Sequence, residues 1–131
     1  MGNINNKEEI AEIKIKEIDV YTKGKNGNCR FVLSYNDILE PHIRRIDYYD
    51  DFKSDILAII AALEYLETKD FNKINVYSES KESIEYIYDC IFHRNKDSFM
   101  STSILYLISN KSIKFYHKDL KNNFIKTMLN Y

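Results

Sequence analysis

Few side chains in this sequence are of a type and spacing that could carry chemistry. Ser78-Glu79-Ser80 places a carboxylate between two hydroxyls, where the β-branched run INVY (74–77) gives way to an amphipathic helical pattern. In an alternating β and α arrangement the carboxyl end of a strand is an open edge toward which helix N-termini point, so a group placed there is positioned to meet a ligand. A second carboxylate, Asp55, falls early in the chain's clearest helical pattern. Each has a plainer reading: Asp55 completes a helix N-terminus, and Glu79 is a loop acid beside a Ser78 or Ser80 cap. Cys29 and Cys90 have neither metal-ligand spacing nor a disulfide framework, and His42 and His93 form no spaced pair. Tyr48, Tyr65, Tyr77 and Tyr106 read as wall residues, because tyrosine favours half-buried positions.

Composition narrows the function classes. At 131 residues the chain has the size of one domain with a real core. Nineteen Lys and Arg against 20 Asp and Glu give a net charge of -1, which is not the basic excess of a non-specific duplex binder. The charge is uneven, however: residues 111–131 carry +4, leaving -5 for residues 1–110. The basic end nominates Lys111, Lys118, Lys121 and Lys126 as the positions to meet nucleic acid, with modest, salt-sensitive affinity. Two unpaired cysteines and the lack of an apolar leader pattern imply a cytoplasmic protein with reduced thiols. The longest uncharged apolar run, Ile56–Leu63, is eight residues, far below the roughly 20 needed to cross a bilayer, so no membrane is expected as a partner.

Periodicity supplies the elements that must position these residues. Residues 1–10 read as a polar lead-in to a single domain over 11–131. Alternating patterns predict strands near 12–22, 29–35 and 42–49, the first closing at Gly24 and Gly27, the second at Asn36-Asp37, and the third following Pro41. From Asp50-Asp51 the period changes, and Phe52, Ile56, Ile59, Ile60, Leu63 and Leu66 predict a helix over 52–67. A strand at 74–78, helices over 80–92 and 99–109, a strand at 112–116 and a terminal helix over 122–129 complete the order βββαβααβα. This is an α/β chain with a mixed five-stranded sheet and helices on both faces.

That order resembles the ribonuclease H fold, and four segments carry the likeness further. DVYTKGKNG (19–27) resembles that family's opening strand and turn, usually Tyr-Thr-Asp-Gly; DDFKSDILAIIAALEYL (50–66) resembles the stretch with a Glu on the first helix; VYSESK (76–81) resembles Tyr-Ser-Asp-Ser; IKFYHKD (113–119) resembles the last strand and its loop histidine. The likeness spans roughly residues 13–129. It implies a site of four carboxylates that hold two divalent ions, one activating water and the other stabilising the leaving oxygen of a phosphodiester. Carried over by position, two acids remain as catalytic candidates, Asp55 and Glu79, and His117 falls at the loop histidine.

The other two positions depart from the family. The first-strand acid that bridges both metals is replaced by Lys23, a cation occupying the site, and the terminal-helix acid falls near Lys126 or Thr127, where no carboxylate stands. A cation there repels a divalent ion by on the order of several kcal/mol at protein-like dielectric. The resemblance therefore implies a ribonuclease H-like domain with a degenerate site, a pseudoenzyme with no cofactor expected, binding nucleic acid such as an RNA:DNA hybrid, or a protein partner. The first alternative is a weak ribonuclease H using Mg2+ or Mn2+ at Asp55 and Glu79; the second is a structural or inhibitory interaction module. In the inactive case Lys23 is expected to pair with Asp55 and Glu79 in place of metal.

Overall fold

Two Asn-containing turns set the register of the first three strands. Asn26 and Gly27 have φ of 50° and 80°, and Asn36 and Asp37 have φ of 49° and 61°. Consecutive left-handed residues make the two-residue hairpin turns whose twist matches that of the flanking strands. The computed structural model describes residues 16–47, 50–94 and 98–130. Around the two turns run β1 (Glu17–Lys25), β2 (Asn28–Tyr35) and β3 (Ile38–Arg45), an antiparallel meander. β4 (Lys73–Ser78) pairs parallel with β1, and β5 (Ser112–His117) parallel with β4, giving the order β3-β2-β1-β4-β5. The helices are α1 (Asp51–Leu66), α2 (Lys81–His93), α3 (Phe99–Leu107) and α4 (Asn123–Asn130).

The element order is the one periodicity predicts, and several boundaries move: the third strand ends at Arg45 and not at 49, and the helix expected over 99–109 ends at Leu107. The first strand runs on through Lys23 and Gly24 to Lys25, so these residues are sheet and not turn; positions 12–15 of the expected strand lie outside the described residues. The third strand begins at Ile38 and not after Pro41, because Asn36-Asp37 alone reverse the chain. Pro41 sits within it, opposite Val32, and the edge position tolerates a residue without an N–H. Tyr48 and Tyr49, placed in that strand by their alternation, lie outside the described residues.

Alternation on β1 separates two cores. Ile18, Val20, Thr22 and Gly24 are buried on the face covered by α1, where Ile56, Ile59, Leu63 and Leu66 join Ile74, Val76, Ile87 and Phe115. The opposite face is covered by α4, whose Ile125 and Leu129 pack with Val32 and Leu120. Among the described residues no helix is long and apolar enough to cross a membrane.

Gly24 is the closest approach between sheet and helix. A Cβ there would stand 1.9 Å from the carbonyl carbon and oxygen of Ser54 and 2.4 Å from the amide nitrogen of Asp55. These are backbone atoms and cannot swing aside. Gly24→Ala is accordingly expected to destabilise the domain by about 3 kcal/mol or more; urea unfolding followed by circular dichroism checks this, and a loss below about 1 kcal/mol would show that the seam can shift.

Candidate functional site

The carboxyl ends of β1 and β4 lie side by side, with Thr22 opposite Ser78. β4 stops there while β1 continues, so the Gly24 amide has no strand neighbour on that edge and takes its acceptor from α1. Asp55 Oδ1 accepts the Gly24 N–H at 2.8 Å, Ser54 Oγ accepts that of Gly27 at 2.9 Å, and Asp51 Oδ1 accepts that of Asn26 at 3.1 Å. Asp50 supplies the helix cap, bonding the Lys53 N–H. Asp55 therefore does not cap its own helix. It ties that helix to the β1–β2 hairpin.

The expected site residues do meet. A cavity of about 310 Å³ is lined by Lys23, Gly24, Asp51, Asp55, Glu79 and Ser80, among others. They do not pair as expected. The Lys23 ammonium donates to Asn130 Oδ1 on α4, and among the described residues no carboxylate lies within 4.0 Å of it. Alternation explains this: Lys23 stands between buried Thr22 and Gly24, so its side chain leaves β1 on the α4 face while Asp55 belongs to the α1 face. Glu79 is taken by the other end of the α4 segment, its Oε2 accepting the Leu120 N–H at 3.2 Å. Ser80, not Glu79, caps α2.

On the terminal helix the contact with the strand falls elsewhere. Asn130 is the α4 residue that meets Lys23, whereas Lys126 is exposed and Thr127 donates to the Asn123 carbonyl of its own helix. Asp55 remains electrostatically tense. Burial raises its pKa from 3.8 to about 6, with Asp51 adding to the rise and the Gly24 hydrogen bond, the Lys23 charge and Ser80 opposing it.

A pair of divalent ions needs several converging hard oxygens. Among the described residues no group of three or more His, Cys, Asp or Glu is arranged to hold a metal. Asp55 and Glu79 each already accept a backbone N–H, and the strand position beside them carries an ammonium. This set does not fit the metal pair that the resemblance implies. Nor is there a ready nucleophile in Cys29, whose thiol is buried, pushed up to about 11 and directed at the Ser54 carbonyl.

The four nominated lysines do not share a face. Lys111 precedes β5 at the far end of the sheet, where its ammonium donates to the carbonyls of Leu66, Lys69 and Phe71, each at 2.7 Å, and ties down the end of α1. Lys118 lies at the site's end, its amide on the Ser78 carbonyl and its ammonium 5.4 Å from the Tyr77 ring centre. Lys121 and Lys126 are exposed, as is His117, which ends β5 opposite Ser78. His42 binds Glu40 and stacks on Phe31 at 4.8 Å, a structural role at the sheet edge. Lys25, Arg30 and Asn130 were not singled out by sequence, although the Asn26-Gly27 turn fixes Arg30 opposite Lys23.

Neither a family profile nor a curated protein matches the sequence. Solved structures do. The N-terminal RNase H domain of Rv2228c from Mycobacterium tuberculosis, solved as a fusion with maltose binding protein, is 14% identical with a TM-score of 0.69, over 87% of this chain and 96% of that one. LC11-RNase H1 in complex with an RNA/DNA hybrid is 17% identical with a TM-score of 0.61, over 86% and 94%. RNase H1 from Halobacterium salinarum NRC-1 is 16% identical with a TM-score of 0.57, over 76% and 85%. The chain has the ribonuclease H-like fold.

The raised pKa of Asp55 predicts an unusual stability profile. The folded protein holds this proton to higher pH than the unfolded chain, so the contribution is full below 3.8 and is lost as pH rises through about 6. The displacement bounds the cost of ionisation at about 3 kcal/mol, which partial solvent access reduces to about 1 kcal/mol. Asp55→Asn keeps an oxygen for the Gly24 N–H. It is expected to flatten the profile across that window and to stabilise the protein by about 1 kcal/mol above it. Urea midpoints at about pH 5 and about pH 8 test this; a destabilised variant at the higher pH would show that the ionised carboxylate is needed at the seam.

Proposed function

We propose that this ribonuclease H-like domain is catalytically silent and serves in binding nucleic acid. The carrying observation is Lys23: at the strand position where the resemblance puts the acid shared by both metals, an ammonium stands and is bound to the α4 amide Asn130. Divalent-ion catalysis of phosphodiester cleavage depends on clustered oxygen ligands that hold both the attacking and the leaving oxygen. Here the two surviving acids are occupied as acceptors for Gly24 and Leu120 and serve to hold the sheet end together.

Binding is favoured over a purely structural role by fold and charge together. LC11-RNase H1, similar in fold, was solved with an RNA/DNA hybrid. In this chain Lys118, Lys121 and Lys126 follow β5 toward α4, and exposed lysines of this kind contact phosphates without reading sequence. The free, buried thiols Cys29 and Cys90 support a reducing, cytoplasmic setting.

The purified chain is expected to leave RNA:DNA hybrid uncut with either Mg2+ or Mn2+, and to bind hybrid, duplex or single strands with an affinity that falls steeply with salt. Added metal should leave the melting midpoint of the unaltered protein unchanged. Robust cleavage abolished by Asp55→Asn would overturn the silent reading. Absence of retention on every strand type at low salt would overturn the nucleic-acid reading and leave the protein-interaction alternative.

A further inference from the structure

The β1–β2 hairpin gathers positive charge that, among the described residues, no carboxylate neutralises. With Thr22 and Gly24 of β1, and Cys29 and Phe31 of β2, buried against α1, the intervening residues face α4. The turn register then sets Lys23 directly opposite Arg30, and Lys25 opposite Asn28. Like charges opposed across an antiparallel pair destabilise it. Among the described residues none of the three cations has a carboxylate within 4.0 Å. Asp51 and Asp55 stand on the α1 face with oxygens taken by hairpin amides, and Glu79 is held by Leu120.

Among the described residues, the groups that line this space beside the cations are neutral. Lys23 donates to Asn130, whose own NH2 is used on the Lys126 carbonyl. The end of α4 contributes a partial negative charge of roughly half a unit, against three full positive ones. The three cations, with Asn28 and Asn130, line a pocket of about 200 Å³ between the hairpin and the last turn of α4. Ammonium and guanidinium groups converging on one small space are donors suited to a multi-oxygen anion. An arginine fork can hold two phosphate oxygens at once while lysines supply point charges.

We propose that this pocket is a phosphate-binding site in which Arg30 and Lys25 grip the oxygens and Lys23 supplies the inner charge. The inference rests on the nucleic-acid reading for its source, the phosphate then being carried on a strand. The anion relieves the Lys23–Arg30 repulsion, so occupancy and hairpin stability are coupled.

Two measurements on the full chain separate the site from its source. In the first, inorganic phosphate is titrated into the 15N-labelled protein against chloride at matched ionic strength. Saturable shifts at the Lys23, Lys25 and Arg30 amides and the Asn130 side chain are expected, with phosphate raising the melting midpoint. Arg30→Gln and Lys25→Gln should each weaken that binding by about tenfold, the loss of one charge-assisted contact. Arg30→Gln should not lower the phosphate-free midpoint, because it removes a repulsion; this distinguishes lost binding from lost folding. In the second, labelled single strand, duplex and hybrid are bound over a range of salt. Each variant should reduce the slope of log affinity against log salt by about one, while Lys69→Gln at the far end of the sheet leaves it unchanged. Strands that bind unaltered protein and both variants alike would overturn the site and leave the functional reading standing. Phosphate binding without strand binding would uphold the site and overturn that reading, and failure of both would overturn both.

Discussion

The rest of the structure depends on how closely β1 can approach α1. Gly24 lies with its Cα face against the Ser54 carbonyl, and no other residue fits that space. The contact lets three hairpin amides reach Asp51, Ser54 and Asp55. These bonds convert a helix whose apolar face already packs on the sheet into one whose axial position is also fixed. They also satisfy the Gly24 amide of β1, beyond the end of β4, and the turn amides of Asn26 and Gly27, which would otherwise need water.

The same seam accounts for the behaviour of the charges. Asp55 is placed for backbone hydrogen bonding, in partial burial and near Asp51, and its proton affinity rises as a result. Lys23 is one residue from Gly24 on the strand, so pleating sends it to the other face. Two groups that line one cavity at the sheet end thereby stand on opposite sides of β1, and their interaction is a field effect and not a contact. The Lys23 charge still lowers the pKa of Asp55, but less than burial raises it.

Much of this was legible in the sequence. The switch from alternation to helical spacing at Asp50-Asp51 located α1, and the apolar runs located β4 and β5, because those signals come from burial and burial is dictated by the pleat and the helical turn. The start of β3 was not, since Pro41 is a strong local break whose cost vanishes on an edge strand, a fact of tertiary placement. Asp55 and Glu79 were correctly brought to one cavity with Lys23, whereas their partners were missed. Backbone amides of Gly24 and Leu120 carry no sequence signal, and any residue supplies one. Lys111 was misjudged for the same reason: its three acceptors are carbonyls of Leu66, Lys69 and Phe71, contributed by the backbone of α1 and the loop after it.

Apolar burial holds the layers together, while the acids at the sheet end add hydrogen bonds to hairpin and loop amides. Here the two cores are apolar, and the polar seam works through acceptors for amides, a role that Asp55 fills without metal. What changes is the sign of the potential at the end of β1. With an acid at position 23 the sheet end would be negative on both faces, and Asp55, already raised, would bind its proton still more tightly. A lysine there lets the α1 face remain acidic while the α4 face becomes basic, with one strand as the divider. Opposite charges set on the two sides of one strand cost little in stability and still present a distinct surface to solvent on each face, so the α4 side can take up anions while the α1 side keeps its carboxylates.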